Sequence, residues 1–215
     1  MTSDDRSSDP SGTFLIDGDA NAATTVVLAH GAGAPMDTPF MDAFAQGLGA
    51  AGLCVVRFEF PFMRARRSEG KRKPPDRAPV LLGAWRSVIA ALGDPGTLVI
   101  GGKSMGGRMA SMVADEAGVK GVACLGYPFH PSGKPEQTRT DHLESMRTQT
   151  LIVQGTRDSL GKPEEVAGYS LSNAVRVHWL EAGDHSFKPT KASGRTLEQN
   201  WQEGIAAVTE FVEGL

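Results

Sequence analysis

The 215-residue sequence predicts an α/β fold. The expected form is a mostly parallel sheet of about six to seven strands, helices on both faces and no large cap domain. Three observations predict it. Short apolar runs rich in Val, Leu and Ile recur along the chain, as in strands covered on both faces. Helical patterns separate them, so strand and helix alternate, which implies parallel crossovers. The turns after the runs are glycine-rich, as in Gly31-Ala32-Gly33, Gly106-Gly107 and Gly155.

Element by element, residues 1–12 are polar and acidic and read as a disordered tail, and Thr13 to Ile16 as a short edge strand. The strand-like runs are Thr25–His30, Leu53–Phe60, Thr97–Gly101, Gly121–Tyr127, Thr150–Gln154 and Val175–Leu180. Helical periodicity covers Thr38–Ala51, Pro79–Leu92, Met105–Ala117, Thr140–Arg147, Pro163–Leu171 and Leu197–Val212. No internal repeat or composition shift divides the chain, so residues 13–215 read as one domain.

A net charge of −3 offers no general attraction for nucleic acid or an anionic membrane. No apolar stretch is long enough for a membrane span, and the N-terminus lacks the basic and apolar regions of a secretory signal. Cys54 and Cys124 both fall in apolar runs and are expected as buried, unpaired thiols in a reducing, cytoplasmic setting. Arg64 to Arg77 carries seven basic residues against two acidic ones. It reads as a loop, either simply solvated or placed near the site mouth to attract an anion.

The chemistry concentrates at Gly102-Lys103-Ser104-Met105-Gly106, a G-x-S-x-G pentapeptide between a strand and a helix. Such a corner exposes a serine hydroxyl, and its glycines are required by close backbone approach. Ser104 is the candidate nucleophile. It needs a base and a group to orient that base. His185, after the Val175–Leu180 strand, and Asp158, after the Thr150–Gln154 strand, occupy the strand ends where these belong. For an oxyanion, the expected donors are the backbone N–H groups of Met105 and Ala32. Gly31, Gly33, Phe60, Tyr127 and His130 border the same strand ends and are candidates for substrate contact. His30 and His178 read as structural. Thr97 stands where a phosphate loop would need its first glycine, which argues against nucleotide hydrolysis. The five histidines are scattered without metal-ligand spacing, so neither a metal nor a cofactor is expected.

The segments HGAGAPMDTPFMDAFAQGL, VVRFEFPFM, GGKSMGGRMAS, GYPFHPSGKP, GTRDSLG and GDHSF together resemble the small bacterial α/β-hydrolase-fold family. That group is related to the testis-expressed protein 30 hydrolase-like family and more distantly to dienelactone hydrolases, which carry cysteine where Ser104 stands. The resemblance implies an α/β-hydrolase fold with Ser104, Asp158 and His185 in the triad positions. The expected activity is that of a serine hydrolase acting on a small-molecule carboxylic ester or thioester. A non-catalytic, hydrolase-like binding or scaffold protein is the competing class.

Overall fold

The computed structural model describes residues 14–71 and 73–215, together with the backbone of Ser7 and Ser8. Its strands are β1 (Ser7–Ser8), β2 (Phe14–Gly18), β3 (Thr25–Ala29), β4 (Cys54–Phe58), β5 (Leu98–Lys103), β6 (Gly121–Leu125), β7 (Thr150–Gly155) and β8 (Val175–Leu180). They form one sheet in the order β1-β2-β4-β3-β5-β6-β7-β8, in which β2 runs antiparallel to β4 and every pair from β4 to β8 is parallel. The strand count exceeds the expected six to seven because a two-residue pairing of Ser7 and Ser8 with Ile16 and Leu15 extends the edge. That pairing falls within the segment read as a disordered tail; the rest of the tail lies outside the described residues.

The helices are α1 (Pro39–Ala50), α2 (Pro61–Glu69), α3 (Ala78–Leu92), α4 (Met105–Ala117), α5 (Asp141–Glu144), α6 (Pro163–Val166) and α7 (Leu197–Glu213). Alternation along the strands sorts the core into two layers. Val27 and Ile100 face one way, with Trp85, Ile89 and Met109 from α3 and α4. Val26, Leu28 and Val99 face the other way, with Phe44 and Leu48 from α1 and Val208 and Phe211 from α7. Cys54 and Cys124 are both buried and unpaired. Among the described residues, no helix is long and apolar enough to cross a membrane.

One expected loop is helical. Residues 64–69, the start of the basic segment, continue α2, which begins at Pro61 and ends at a left-handed Gly70. Proline is favoured in the first helical turn, and glycine at the left-handed position just past the end. The segment borrows its apolar anchor from Phe62 and Met63, which are buried just upstream of the charges. The basic run by itself carried no hydrophobic periodicity, which is why it read as a loop.

The chain leaves β3 to make β4 on one side and returns to make β5 on the other. The strand order therefore reverses beside β3, and the carboxyl ends of β3 and β5 open into the crevice where α/β sheets place ligands.

Candidate active site

Ser104 occupies the corner between β5 and α4, with φ 49° and ψ −112°. This conformation is costly for a residue with a Cβ, and the surroundings must impose it. A Cβ on Gly102 would lie 2.0 Å from the Ala29 carbonyl oxygen, and one on Gly106 would lie 2.4 Å from the same atom. The two glycines let β5 and α4 press against β3 from either side of the serine. The Ser104 amide donates to Leu125 of β6 at 3.0 Å, fixing the corner to the neighbouring strand. Serine at a helix N-cap ordinarily folds its hydroxyl back onto the helix. Ser104 makes no such bond.

The hydroxyl instead donates to His185 Nε2 at 2.9 Å, and His185 Nδ1 donates to Asp158 Oδ2 at 2.7 Å. Asp158 is fully buried. Its other oxygen accepts from the Leu160 amide at 2.9 Å, and Oδ2 also accepts from Gln154 Nε2 at 3.0 Å. Gln154 is a site residue that sequence reasoning missed, because a lone Gln inside a β-run carries no motif.

The His185 turn is clamped from three sides. Asn200 of α7 donates to the Phe187 carbonyl at 2.8 Å and to that of Glu181 at 3.2 Å. Trp201 Nε1 donates to the Ser186 carbonyl at 3.2 Å. Lys103, beside the serine, donates to the His185 carbonyl, and its ammonium lies 5.3 Å from the Phe40 ring centre and 5.9 Å from that of Phe187. Burial pulls the Lys103 ammonium down to about 8, with the Asp158 and Asp184 carboxylates opposing the fall.

A cavity of about 390 Å³ opens at the serine. Ser104, Met105, Ala32, Arg108, Arg139 and His130 are among its walls. Among the described residues, neither the Met105 amide nor the Ala32 amide donates to a protein acceptor. Met105 is the first residue of α4, whose N–H has no partner within the helix. His130 stands in the wall with Nδ1 bonded to the Pro131 carbonyl at 2.8 Å, while its buried Nε2 has no hydrogen-bond partner.

Other candidates for substrate contact sit elsewhere. Gly31 lies beside the corner, where an added Cβ would meet Lys103 at 3.5 Å and Ser104 Cβ at 3.8 Å, both ordinary contact distances. Gly33 faces open space and is not in the cavity wall. Phe60 and Tyr127, expected at the substrate, are fully buried behind the wall. Phe60 packs edge-on to His30, and the Tyr127 hydroxyl donates to the Arg139 carbonyl at 2.8 Å. Both aromatics bury more area under the loops than a place in the wall would allow. His30 bridges two strand ends: Nδ1 donates to the Gly31 carbonyl at 2.6 Å, and Nε2 accepts from the Phe60 amide at 3.1 Å. That pairing requires the neutral ring, and burial accordingly holds its pKa below the usual histidine value.

Three side chains of the basic segment are engaged within the protein. Arg67 binds Asp37 at 2.9 Å and also pairs with Glu59. Lys73 binds Glu69 at 2.6 Å. Arg66 stacks over Phe62 at 5.0 Å and donates to backbone carbonyls.

A parallel sheet whose central strand ends in a glycine-flanked serine, with an imidazole and a carboxylate arriving from later strand ends, defines the α/β-hydrolase class. The chain belongs to the alpha/beta hydrolase domain family, whose model matches residues 22–213. Among solved structures it is similar to a lidless α/β serine hydrolase from Xanthomonas campestris (19% identity, TM-score 0.63, 91% of this chain and 88% of the other). It is also similar to an α/β serine hydrolase homologue from Coxiella burnetii (19%, TM-score 0.67, 97% and 98%). A third is Est1E from Butyrivibrio proteoclasticus (14%, TM-score 0.68, 96% and 96%). At these identities the likeness shows the fold, including the lack of a large cap domain.

Proposed function

We propose that this protein is a serine hydrolase cleaving a small carboxylic ester or thioester through an acyl-enzyme, all within one domain spanning residues 13–215. The observation that carries the reading is the continuous relay from Ser104 Oγ through His185 to buried Asp158, at 2.9 and 2.7 Å, opening on a cavity. Ser104 attacks the carbonyl carbon while His185 Nε2 takes its proton, and Asp158 steadies the imidazolium. The carbonyl oxygen, now negative, is held by the Met105 and Ala32 amides. Collapse expels the alcohol or thiol, which takes the proton from His185. Water then attacks the acyl-enzyme with His185 again as base, freeing the acid and Ser104.

The family membership supports hydrolysis in general, and the absence of a large cap suits a compact substrate. The motif resemblance to the testis-expressed protein 30 hydrolase-like group and to dienelactone hydrolases belongs to the same proposal.

A fluorophosphonate probe should label the wild type and leave Ser104→Ala unlabelled, with hydrolysis of short p-nitrophenyl esters lost in parallel. Absence of labelling and turnover in folded wild-type protein would overturn the reading in favour of a non-catalytic, hydrolase-like binding protein.

A further inference from the structure

The cavity wall carries two guanidinium groups, Arg108 and Arg139, that pair with no carboxylate among the described residues. Arg108 lies one helical turn beyond the serine, its amide donating to the Ser104 carbonyl at 3.0 Å. Arg139 comes from the loop after β6, its backbone fixed by a 2.7 Å bond to the Phe129 carbonyl and by the Tyr127 hydroxyl. Both side chains line the cavity that contains Ser104. The Nε of Arg108 is buried and has no hydrogen-bond partner.

A buried guanidinium N–H without an acceptor is expensive, and two like charges around one cavity add to the cost. Burial, and then the Arg108 charge, hold Arg139 below the usual arginine range, and the same two causes lower His142 behind it. At His142 the Asp141 and Asp115 carboxylates oppose the Arg108 charge, whereas among the described residues no carboxylate opposes it at Arg139. Among the described residues, Asp76 is the one carboxylate in the wall, and it already accepts from the Phe62 amide at 3.0 Å. Counting Asp76 against Arg108 and Arg139 leaves the wall with a net charge of +1.

We propose that Arg108 and Arg139 form a carboxylate subsite, so that the preferred substrate is an ester or thioester bearing a second, anionic carboxyl group near the scissile bond. The planar fork of arginine matches a carboxylate, and the single net positive charge suits a monoanion. This rests on Ser104 as the nucleophile and adds the chemistry of the substrate's other end. It also relocates the anion attraction considered for the basic segment, whose Arg67 and Lys73 are already paired.

The experiment compares kcat/KM for mono-p-nitrophenyl glutarate and p-nitrophenyl pentanoate in the wild type, R108Q, R139Q and the double variant. Each protein supplies its own charged-to-neutral ratio, so a general loss of active enzyme cancels. A second pair, 4-carboxyphenyl and phenyl pentanoate, places the carboxylate on the leaving group. The ratio in one pair should fall by about tenfold or more for each arginine removed, as expected for a charge-assisted bond. R108K and R139K, which keep the charge without the fork, should fall between.

A measurement on the wild type alone guards against misfolded variants: glutarate should slow fluorophosphonate labelling of Ser104 more than glutaramide does. Equal ratios in wild type and variants for both pairs, with glutarate and glutaramide protecting equally while Ser104 still labels, would overturn the subsite and spare the hydrolase reading. Failure of Ser104 to label in folded protein would overturn both.

Discussion

Gln154 donates to the same carboxylate oxygen of Asp158, Oδ2, that accepts the His185 bond, at 3.0 Å beside 2.7 Å. Its amide orientation is set by the chain: Oε1 accepts from the Tyr127 amide at 2.7 Å, so Nε2 must face Asp158 and the carbonyls of Tyr127 and Gly161, both at 3.2 Å. The carboxylate is thereby fixed from β7, and the end of β6 is tied to the same side chain.

Gln154→Met should therefore cost both stability and rate. It leaves the buried Tyr127 amide without an acceptor, while the Tyr127 carbonyl keeps the Phe129 amide at 3.1 Å, a cost of roughly 1–3 kcal/mol in denaturant unfolding. It also frees Asp158 to turn, so kcat should fall by about tenfold with a smaller change in KM, the pattern of a positioning residue.

Asp158→Asn keeps the shape but offers His185 an amide where a carboxylate stood. The imidazole then loses the acceptor that fixes its tautomer, and kcat for ester hydrolysis should drop by about 10³–10⁴. Fluorophosphonate labelling of Ser104 should slow in step.

Gly106→Ala tests the corner itself. Its methyl group would lie 2.4 Å from the Ala29 oxygen and 2.7 Å from the His30 oxygen, both backbone atoms with no rotamer to yield. Unfolding midpoints should fall by an amount equivalent to about 3 kcal/mol. Gly33→Ala, whose Cβ meets open space, should stay within about 0.5 kcal/mol.

Lys103 predicts a pH dependence with a definite sign. Its ammonium is lowered to about 8 in the folded protein, against a free value near 10.5. Between those values the unfolded chain holds the proton and the folded chain does not, so this group makes stability rise with pH through that window. Cys54, Cys124 and Tyr127 are pushed up by burial and act in the opposite sense over the alkaline range. The wild type should therefore be compared with Lys103→Met by unfolding between pH 7 and 10. The wild-type curve should gain on the variant as pH rises, by at most roughly 3 kcal/mol.

Local sequence determined a good deal. The alternation of apolar runs and helical periodicity marked β3 through β8. Strands β3 to β7 are buried at nearly every position, as strands covered on both faces are, while β8 at the sheet edge is only partly buried. G-x-S-x-G between a run and a helix announced Ser104, since no other residue type survives at Gly102 and Gly106 against β3. His185 and Asp158 were legible as polar residues following strands, in the chain order of this fold.

Tertiary structure decided what spacing does not encode. Gln154 was hidden in an apolar run, and its role exists only because β6 and β7 end side by side. Tyr127 and Phe60 follow strands as Ser104 does, yet the turns beyond them carry the rings under the loops instead of into the cavity. Residues 64–69 are helical because Phe62 and Met63 are buried upstream of them. Arg108 and Arg139, 31 positions apart, share a wall only through the packing of α4 against the loop after β6. Local periodicity reports which face of an element is buried; which polar ends meet depends on long-range closure of the sheet.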